Sequence, residues 1–243
     1  MRIILCEGKT DAVLLSYYLG KTGGWRYNRD NKNKKLRIDF SDKSNKVITH
    51  FIKDNDDELA ICAVGGKDNF ADFYSEYIER YFIASEDGET EHKIAIVTDR
   101  DDRSVEDIEK YFSKNVISNI ANNEWADNYL TNGFGQKIKI SALMVVIPHN
   151  QQGALENLLL NALSEDEYRG NLIDKSKEFV ENISPEAKKI ITSDRLKLKT
   201  KLGVSLAVLY PEKVFSLIDE HLKEIDWEKT STINECFKKL TEI

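Results

Sequence analysis

Three apolar runs that each end abruptly in glycine or charged residues constrain the fold of this 243-residue chain most strongly. Arg2 to Cys6 is followed by Glu-Gly-Lys, Leu59 to Val64 by Gly-Gly-Lys, and Ile94 to Thr98 by Asp-Arg-Asp-Asp. Short runs that are apolar at nearly every position are typical of strands buried on both faces of a parallel sheet. Helical patterns separate the runs, so the sequence predicts an α/β fold with a mainly parallel sheet flanked by helices.

After His149 the sequence pattern changes from strands separated by helices to helices alone. Before that point, the polar segment 21–57 contains two strand-like pieces, LRIDF and KVITHFI, and predicts a β-hairpin insertion. We expect an α/β domain over residues 1–160 and a helical extension over 161–243 that packs on it. Four stretches carry the helical pattern: GALENLLLNAL, EYRGNLIDKSKEFVENI, EAKKIITSDRLKLKTKLG and PEKVFSLIDEHLKEI.

The composition excludes several classes of protein. No apolar run approaches the roughly 20 residues that cross a bilayer, and MRIILCEGKTD turns polar too early for a signal peptide. The three cysteines, Cys6, Cys62 and Cys236, lack a metal-binding spacing, so we expect buried thiols in a reducing cytoplasm. The net charge of -7 argues against a generally basic nucleic-acid coat and leaves local basic segments at 26–35 and 195–201.

The charged ends of the three apolar runs predict a single site. Because the carboxyl ends of parallel strands meet at one edge of a sheet, we expect Glu7 and Asp99 to face each other there. Gly65 and Gly66 would let a backbone or a phosphate approach closely. Carboxylates that are not accompanied by histidine or cysteine suit hard cations, so the sequence predicts a Mg²⁺ or Mn²⁺ site that neutralises their repulsion.

Each of these motifs, taken alone, also has a structural explanation. Asp-rich loops make turns and cap helices, the diglycine can be a tight bend, and Thr10 can be the N-cap of the first helix. The two basic segments can be a solvated hairpin tip and a solvated helix face. The conjunction of three such strand ends in this order favours the metal site.

The same order of motifs resembles the Toprim domain of topoisomerases, bacterial primases, a ribosomal RNA maturation nuclease and the OLD family of nucleases. IILCEGKTDAVLL resembles the first motif of that domain, AICAVGGKDNF its glycine element and IAIVTDRDD its paired aspartates, over about residues 1–160. PHNQQGALENLLLNAL is similar to the acidic segment that follows in OLD-type proteins. DRLKLKTKLG is similar to the tail of that group and of related bacterial Toprim-like proteins of unknown function.

The resemblance implies roles for the acidic residues. Glu7 would act as general base or metal ligand, Asp99 and Asp101 as the metal-binding pair, and Asp102 as an auxiliary. Two cations about 4 Å apart can activate a water and stabilise both the attacking and the leaving oxygen of a phosphodiester.

The resemblance also implies roles further along the chain. Glu156 would complete a second metal position, and Lys199 or a neighbouring lysine would contact a phosphate or stabilise the leaving group. The residues expected to lie against phosphate or nucleic acid at the strand ends are Lys9, Gly65, Gly66 and Lys67.

The expected function is therefore a magnesium-dependent nuclease that cleaves DNA or RNA, in phage defence or DNA repair. No GxxxxGK[ST] motif occurs, so the protein acts alone or with a separate ATPase partner. Two alternatives stay open. One is a Toprim-like module that binds metal and nucleic acid, or regulates a partner, without turnover. The other is a metal-dependent phosphatase or phosphotransferase, although Asp101 is followed by Asp102 and Arg103 and not by the DxDxT pattern.

Overall fold

The strands of the protein form one seven-stranded sheet in a computed structural model that describes residues 1–28, 36, 38, 45–53, 57–85 and 91–243. The strand order is β2-β3-β4-β1-β5-β7-β6. The four central strands are parallel to one another. At the edges, β3 pairs antiparallel with β4, β2 pairs antiparallel with β3, and β6 pairs antiparallel with β7. The strands are β1 (Arg2–Cys6), β2 (Arg26–Tyr27), β3 (Val47–Lys53), β4 (Asp57–Ala63), β5 (His92–Asp99), β6 (Ala126–Thr131) and β7 (Lys137–Ile147).

Helices cover both faces of this sheet, which confirms the predicted α/β class and the helical carboxy-terminal part. A π-helical segment, Tyr74–Glu79, joins the second and third helices into one element. The helices are α1 (Lys9–Thr22), α2 (Phe70–Phe73), α3 (Arg80–Ala84), α4 (Val105–Asn115), α5 (Leu155–Leu163), α6 (Glu167–Ile183), α7 (Asp194–Leu209), α8 (Ile218–Glu224) and α9 (Ser231–Phe237).

Alternate side chains of the central strands enter two separate cores. Ile4 and Val97 point to one face, where they pack with α1, α5 and the carboxy-terminal helices. Ile3 and Ile96 point to the other face, where they pack with the helical element from α2 to α3 and with α4. The carboxy-terminal helices share the first core with the sheet. A domain boundary near residue 160 stays a prediction.

Two helix boundaries were predicted wrongly. The sequence predicts a helix from residue 186, whereas α7 begins at Asp194, because the Ser193 hydroxyl accepts a hydrogen bond from the Leu196 N–H (3.2 Å) and caps the helix there. The stretch 211–225 predicts one helix, whereas a short 3₁₀ turn precedes α8.

The predicted hairpin insertion is seen only in part. KVITHFI forms β3, which pairs antiparallel with both β2 and β4. LRIDF lies mostly outside the described residues. Strand β6 was not predicted, because its sequence contains no apolar run. In the structure, its side chains alternate between exposed and half-buried positions.

The state of the cysteines and the length of the helices can be compared with the sequence analysis. Cys6, Cys62 and Cys236 are buried and unpaired, as predicted. Within the part of the chain that the structure describes, no helix is both long and apolar enough to cross a membrane.

Gly153 joins the loop after β5 to the start of α5. Its N–H donates to the Asp101 carbonyl (2.8 Å), and its own carbonyl accepts from the Asp101 N–H (2.6 Å). Its φ is 138°, and an added Cβ would overlap the Asn157 Oδ1 atom. The backbone here therefore requires glycine for two independent reasons.

We predict that Gly153→Ala lowers the free energy of unfolding by about 1–3 kcal/mol, through backbone strain together with the overlap. Gly135→Ala is the matched control, because Gly135 also has a positive φ (78°) but an added Cβ there meets nothing within 4 Å. The control should lose only about 1 kcal/mol. Urea unfolding of both variants measures the difference, and equal losses would contradict the role of the overlap.

Candidate functional site

The ends of β4, β1 and β5 lie side by side at one edge of the sheet. Cys6 at the end of β1 pairs in register with Ala63 on one side and with Val97 on the other. The chain after β4 folds over the end of β1, since the N–H groups of Gly65 and Gly66 both donate to the Glu7 carbonyl (3.0 and 2.9 Å). Both glycines have positive φ values (85° and 129°), which explains the diglycine.

Glu7 is buried at this edge and is fixed by β5. Only 7% of the residue is exposed. Its Oε1 atom accepts hydrogen bonds from the Thr98 hydroxyl (2.9 Å) and from the Asp99 N–H (2.9 Å). The first and third strand ends are thus joined through the Glu7 carboxylate, which brings it next to Asp99 as the sequence predicts.

Asp99 is also buried, with 3% of the residue exposed, and it joins three elements. One carboxylate oxygen, Oδ1, accepts a hydrogen bond from the Leu155 N–H at the start of α5 (2.9 Å). The other, Oδ2, forms an ion pair with the Arg195 guanidinium of α7 (3.1 Å). Asp99 therefore satisfies one of the free N–H groups of a helix terminus while it holds a charged partner.

Arg195 is the main feature of the site that the sequence did not single out. Besides Asp99, its guanidinium contacts Asp101 Oδ1 (3.3 Å), whose second oxygen contacts the Lys67 ammonium (2.6 Å). Arg195 lies one helical turn before Lys199, inside the basic segment 195–201. That segment was the available signal, but the sequence could not show which of its cations reaches the acids.

A cavity of about 690 Å³ opens beside these groups. Arg195 and Asp11 contribute to its wall. Lys199 is exposed there and forms no ion pair within the described ranges. The predicted site residues that line the cavity are Glu7, Lys9, Gly65, Gly66, Asp99, Glu156 and Lys199.

Three predicted acidic or basic residues lie outside the lining of this cavity. Asp101 and Lys67 are beside it and are paired with each other. Asp102 is exposed, and its backbone carbonyl accepts a hydrogen bond from the Gln152 side chain (2.8 Å). The structure thus separates Asp102 from the group formed by Glu7 and Asp99.

Besides Glu7, Asp99 and Glu156, a fourth acidic residue, Asp11, lines the cavity. The sequence did not single it out. Asp11 is buried, and its Oδ2 atom accepts a hydrogen bond from the Gly8 N–H (3.0 Å). The N-cap of α1 is therefore Gly8 and not Thr10, and Asp11 is the N3 residue of a capping box. Its position four residues after Glu7, at a helix start, was the available signal. The Glu156 Oε2 atom is buried nearby and has no hydrogen-bond partner among the described residues.

Burial raises the pKa, and so the proton affinity, of two of these acids, Asp99 and Asp11. Burial, and then the nearby Glu7 and Asp11 carboxyls, raise the pKa of Asp99 to about 8, although Arg195 and the Leu155 N–H act in the opposite direction. Burial and Glu7 likewise raise the pKa of Asp11 to about 7. One half-exposed arginine does not offset this much buried negative charge.

The donor chemistry of the cavity fits a hard divalent cation. Carboxylate oxygens from Glu7, Asp99 and Glu156 line it, and the unpartnered Glu156 oxygen lacks a cation or a donor. In the described ranges, however, no group of three or more His, Cys, Asp or Glu side chains is already arranged to hold a metal ion. Arg195 supplies the positive charge instead, so it would compete with a metal for Asp99.

The chain belongs to the protein family described as "Protein of unknown function (DUF3226)", which it matches over residues 1–242. No curated protein matches it. It is similar to a crystal structure of the hypothetical protein PH0156 from Pyrococcus horikoshii OT3, with 18% sequence identity and a TM-score of 0.43, over 99% of this chain and 100% of that chain. Neither description assigns an activity, and the resemblance to the Toprim domain stays a prediction.

We predict that the stability of the metal-free protein depends on pH through Asp99 and Asp11, whose pKa values are raised in the folded protein. An acid whose folded-state pKa lies above its unfolded value of about 4 stabilises the folded protein at low pH. This contribution is complete below about pH 4 and is lost as the pH rises through the folded-state values of about 7 to 8. In EDTA, the melting temperature of Asp99→Asn should therefore fall less over this range than that of the wild type. The exposed Asp72 provides the control, since Asp72→Asn should follow the wild type. Parallel profiles for all three proteins would contradict the raised pKa of Asp99.

Proposed function

We propose that the protein is a divalent-metal-dependent nuclease that hydrolyses phosphodiester bonds of DNA or RNA. The observation that carries the proposal is the group of buried carboxylates at the ends of adjacent parallel strands, which opens into a cavity that also contains Lys199 and Arg195. Acids that bind a hard cation and cations that bind phosphate are two groups that metal-dependent phosphodiester hydrolysis uses. The Toprim-like order of the motifs supports the same proposal.

Glu7, Asp99 and Glu156 would hold Mg²⁺ or Mn²⁺ in this proposal. The ion supplies Lewis-acid stabilisation of the negative charge that develops on the phosphoryl oxygens. Asp101 would assist from beside the cavity, where it already neutralises part of the charge of Lys67 and Arg195.

The protein's own side chains would position the substrate and move a proton. Glu7 is held through Oε1, while its Oε2 atom has no hydrogen bond among the described residues and can take a proton from water. Lys199 would place its ammonium on a phosphate as a point charge. Gly65 and Gly66 leave room for the sugar-phosphate backbone, and Lys9 lines the same cavity.

A second candidate function is a Toprim-like module that binds nucleic acid or a partner protein without turnover. The ion pairs of Arg195 with Asp99 and Asp101 favour it, because they offset part of the negative charge of these acids without any metal. Such a module would use the site to fix α7 against the sheet.

In either case a separate ATPase would be a suitable partner, and the three free buried thiols suit the cytoplasm.

We predict that the wild type cleaves plasmid, single-stranded DNA or RNA in the presence of Mg²⁺ or Mn²⁺, and that Glu7→Gln reduces the rate by at least about 100-fold. The substitution removes a charge with little change in volume, so the fold should be retained. Gel assays with and without EDTA measure the rate.

The matched control is Glu106→Gln, which makes the same chemical change at an exposed position of α4 and should retain the wild-type rate. If Glu7→Gln cleaves as fast as the control, the activity does not come from this site. If wild-type protein that binds nucleic acid cleaves none of the three substrates with either ion, the non-catalytic module replaces the nuclease.

A further inference from the structure

Helix α7 changes its chemical character along the face that lines the cavity. Arg195 and Lys199 occupy this face near the acids, and the next positions on the same face are Leu202, Gly203, Leu206 and Ala207. Their spacing places all six on one side of the helix. The cavity is therefore ionic at the strand ends and mostly apolar towards the end of α7, although Ser216 and His221 also line it.

The apolar half of the cavity is open where α7 has no side chain. Gly203 is exposed to the cavity, and an added Cβ there would meet nothing within 4 Å. Val214 and Ile218 also line this half, and Val214 keeps 48% of its surface exposed. A glycine in the middle of a helix lowers stability relative to alanine, so a packing explanation would favour a larger residue here.

We propose that the apolar half of this cavity is a nucleobase subsite, so that the substrate is an unpaired nucleotide within a single strand. This inference rests on the proposed function, because it places a phosphate at the ionic half. The ionic half suits an anionic group and the apolar half suits an apolar group, and a nucleotide carries both. A base within a duplex is stacked and paired, and it would have to leave the helix to enter.

The rim of the apolar half carries a second suitable group. Phe215 lies between Val214 and Ser216, which both line the cavity, and its side chain is fully exposed (103%). Its ring has no aromatic neighbour within the described part of the chain. Exposed aromatic rings beside a cationic groove stack on the bases of single strands, so Phe215 would hold the base next to the one in the cavity.

Substitutions at Gly203 test the subsite with little risk to the fold. Gly203→Phe would place a ring in the proposed base position, whereas Gly203→Ala adds only a methyl group and should raise the melting temperature. Binding is measured by fluorescence anisotropy in calcium chloride. The probes are a labelled single-stranded oligonucleotide, the same strand in a blunt duplex, and a strand of equal length without bases.

We expect the wild type and Gly203→Ala to bind the single strand more tightly than the duplex or the abasic strand. Gly203→Phe should weaken single-strand binding roughly tenfold or more, about the effect of losing one stacked base, while its thermal melt stays cooperative. Phe215→Ala should weaken the same binding to a similar extent.

Equal binding of the single strand by Gly203→Phe and the wild type would overturn the subsite, as would equal affinity for the abasic strand. These results would leave the nuclease proposal standing if magnesium-dependent cleavage depends on Glu7. Base-dependent binding that Gly203→Phe weakens, in a protein that cleaves nothing, would keep the subsite and remove the nuclease. Failure to bind or cleave any nucleic acid would overturn both.

Discussion

The ion pair between Arg195 and Asp99 joins a buried carboxylate at the end of β5 to the first turn of α7. Asp99 is almost fully buried beside Glu7 and Asp11, and such a group of acids is unfavourable without a positive charge. Arg195 supplies part of that charge. The position of α7 is thus fixed by electrostatics as well as by the apolar core that it shares with the sheet, and α7 in turn forms one wall of the cavity.

Competition for Asp99 follows from the same arrangement. In the proposed function, a divalent cation would need the same carboxylate that Arg195 now contacts, and Arg195 would then be available for a phosphate. The backbone pairing of Asp101 with Gly153 keeps the start of α5 against β5, which places the Leu155 N–H on Asp99. Asp99 is therefore fixed by a backbone N–H, while its cationic partner Arg195 lies on a longer, half-exposed side chain.

The sheet edge could be predicted from local patterns. An apolar run identifies a buried parallel strand, and parallel strands end at one edge, so the proximity of Glu7 and Asp99 followed without knowledge of the packing. Gly65 and Gly66 were recognised for the same reason, and their positive φ values explain why glycine is present.

The remaining features depend on long-range packing or on weak local signals. Arg195 contacts Asp99 only because α7 packs over the strand ends, and nothing within the segment 195–201 distinguishes it from the lysines. Asp11 looked like part of a helix start, because capping and burial at a site use the same residue type. The open space at Gly203 depends on what surrounds the helix, which no local pattern describes.

The melting temperature over a magnesium series, starting from metal-free protein, tests most directly whether this group of acids binds a metal. We predict that Mg²⁺ stabilises the wild type by about 2.7 kcal/mol at a hundredfold excess over its dissociation constant. Arg195→Gln should respond at lower magnesium concentrations, since the competing cation is gone, and Asp99→Asn should respond much less. Melting curves of all three proteins that do not move with magnesium would contradict a metal site among these carboxylates.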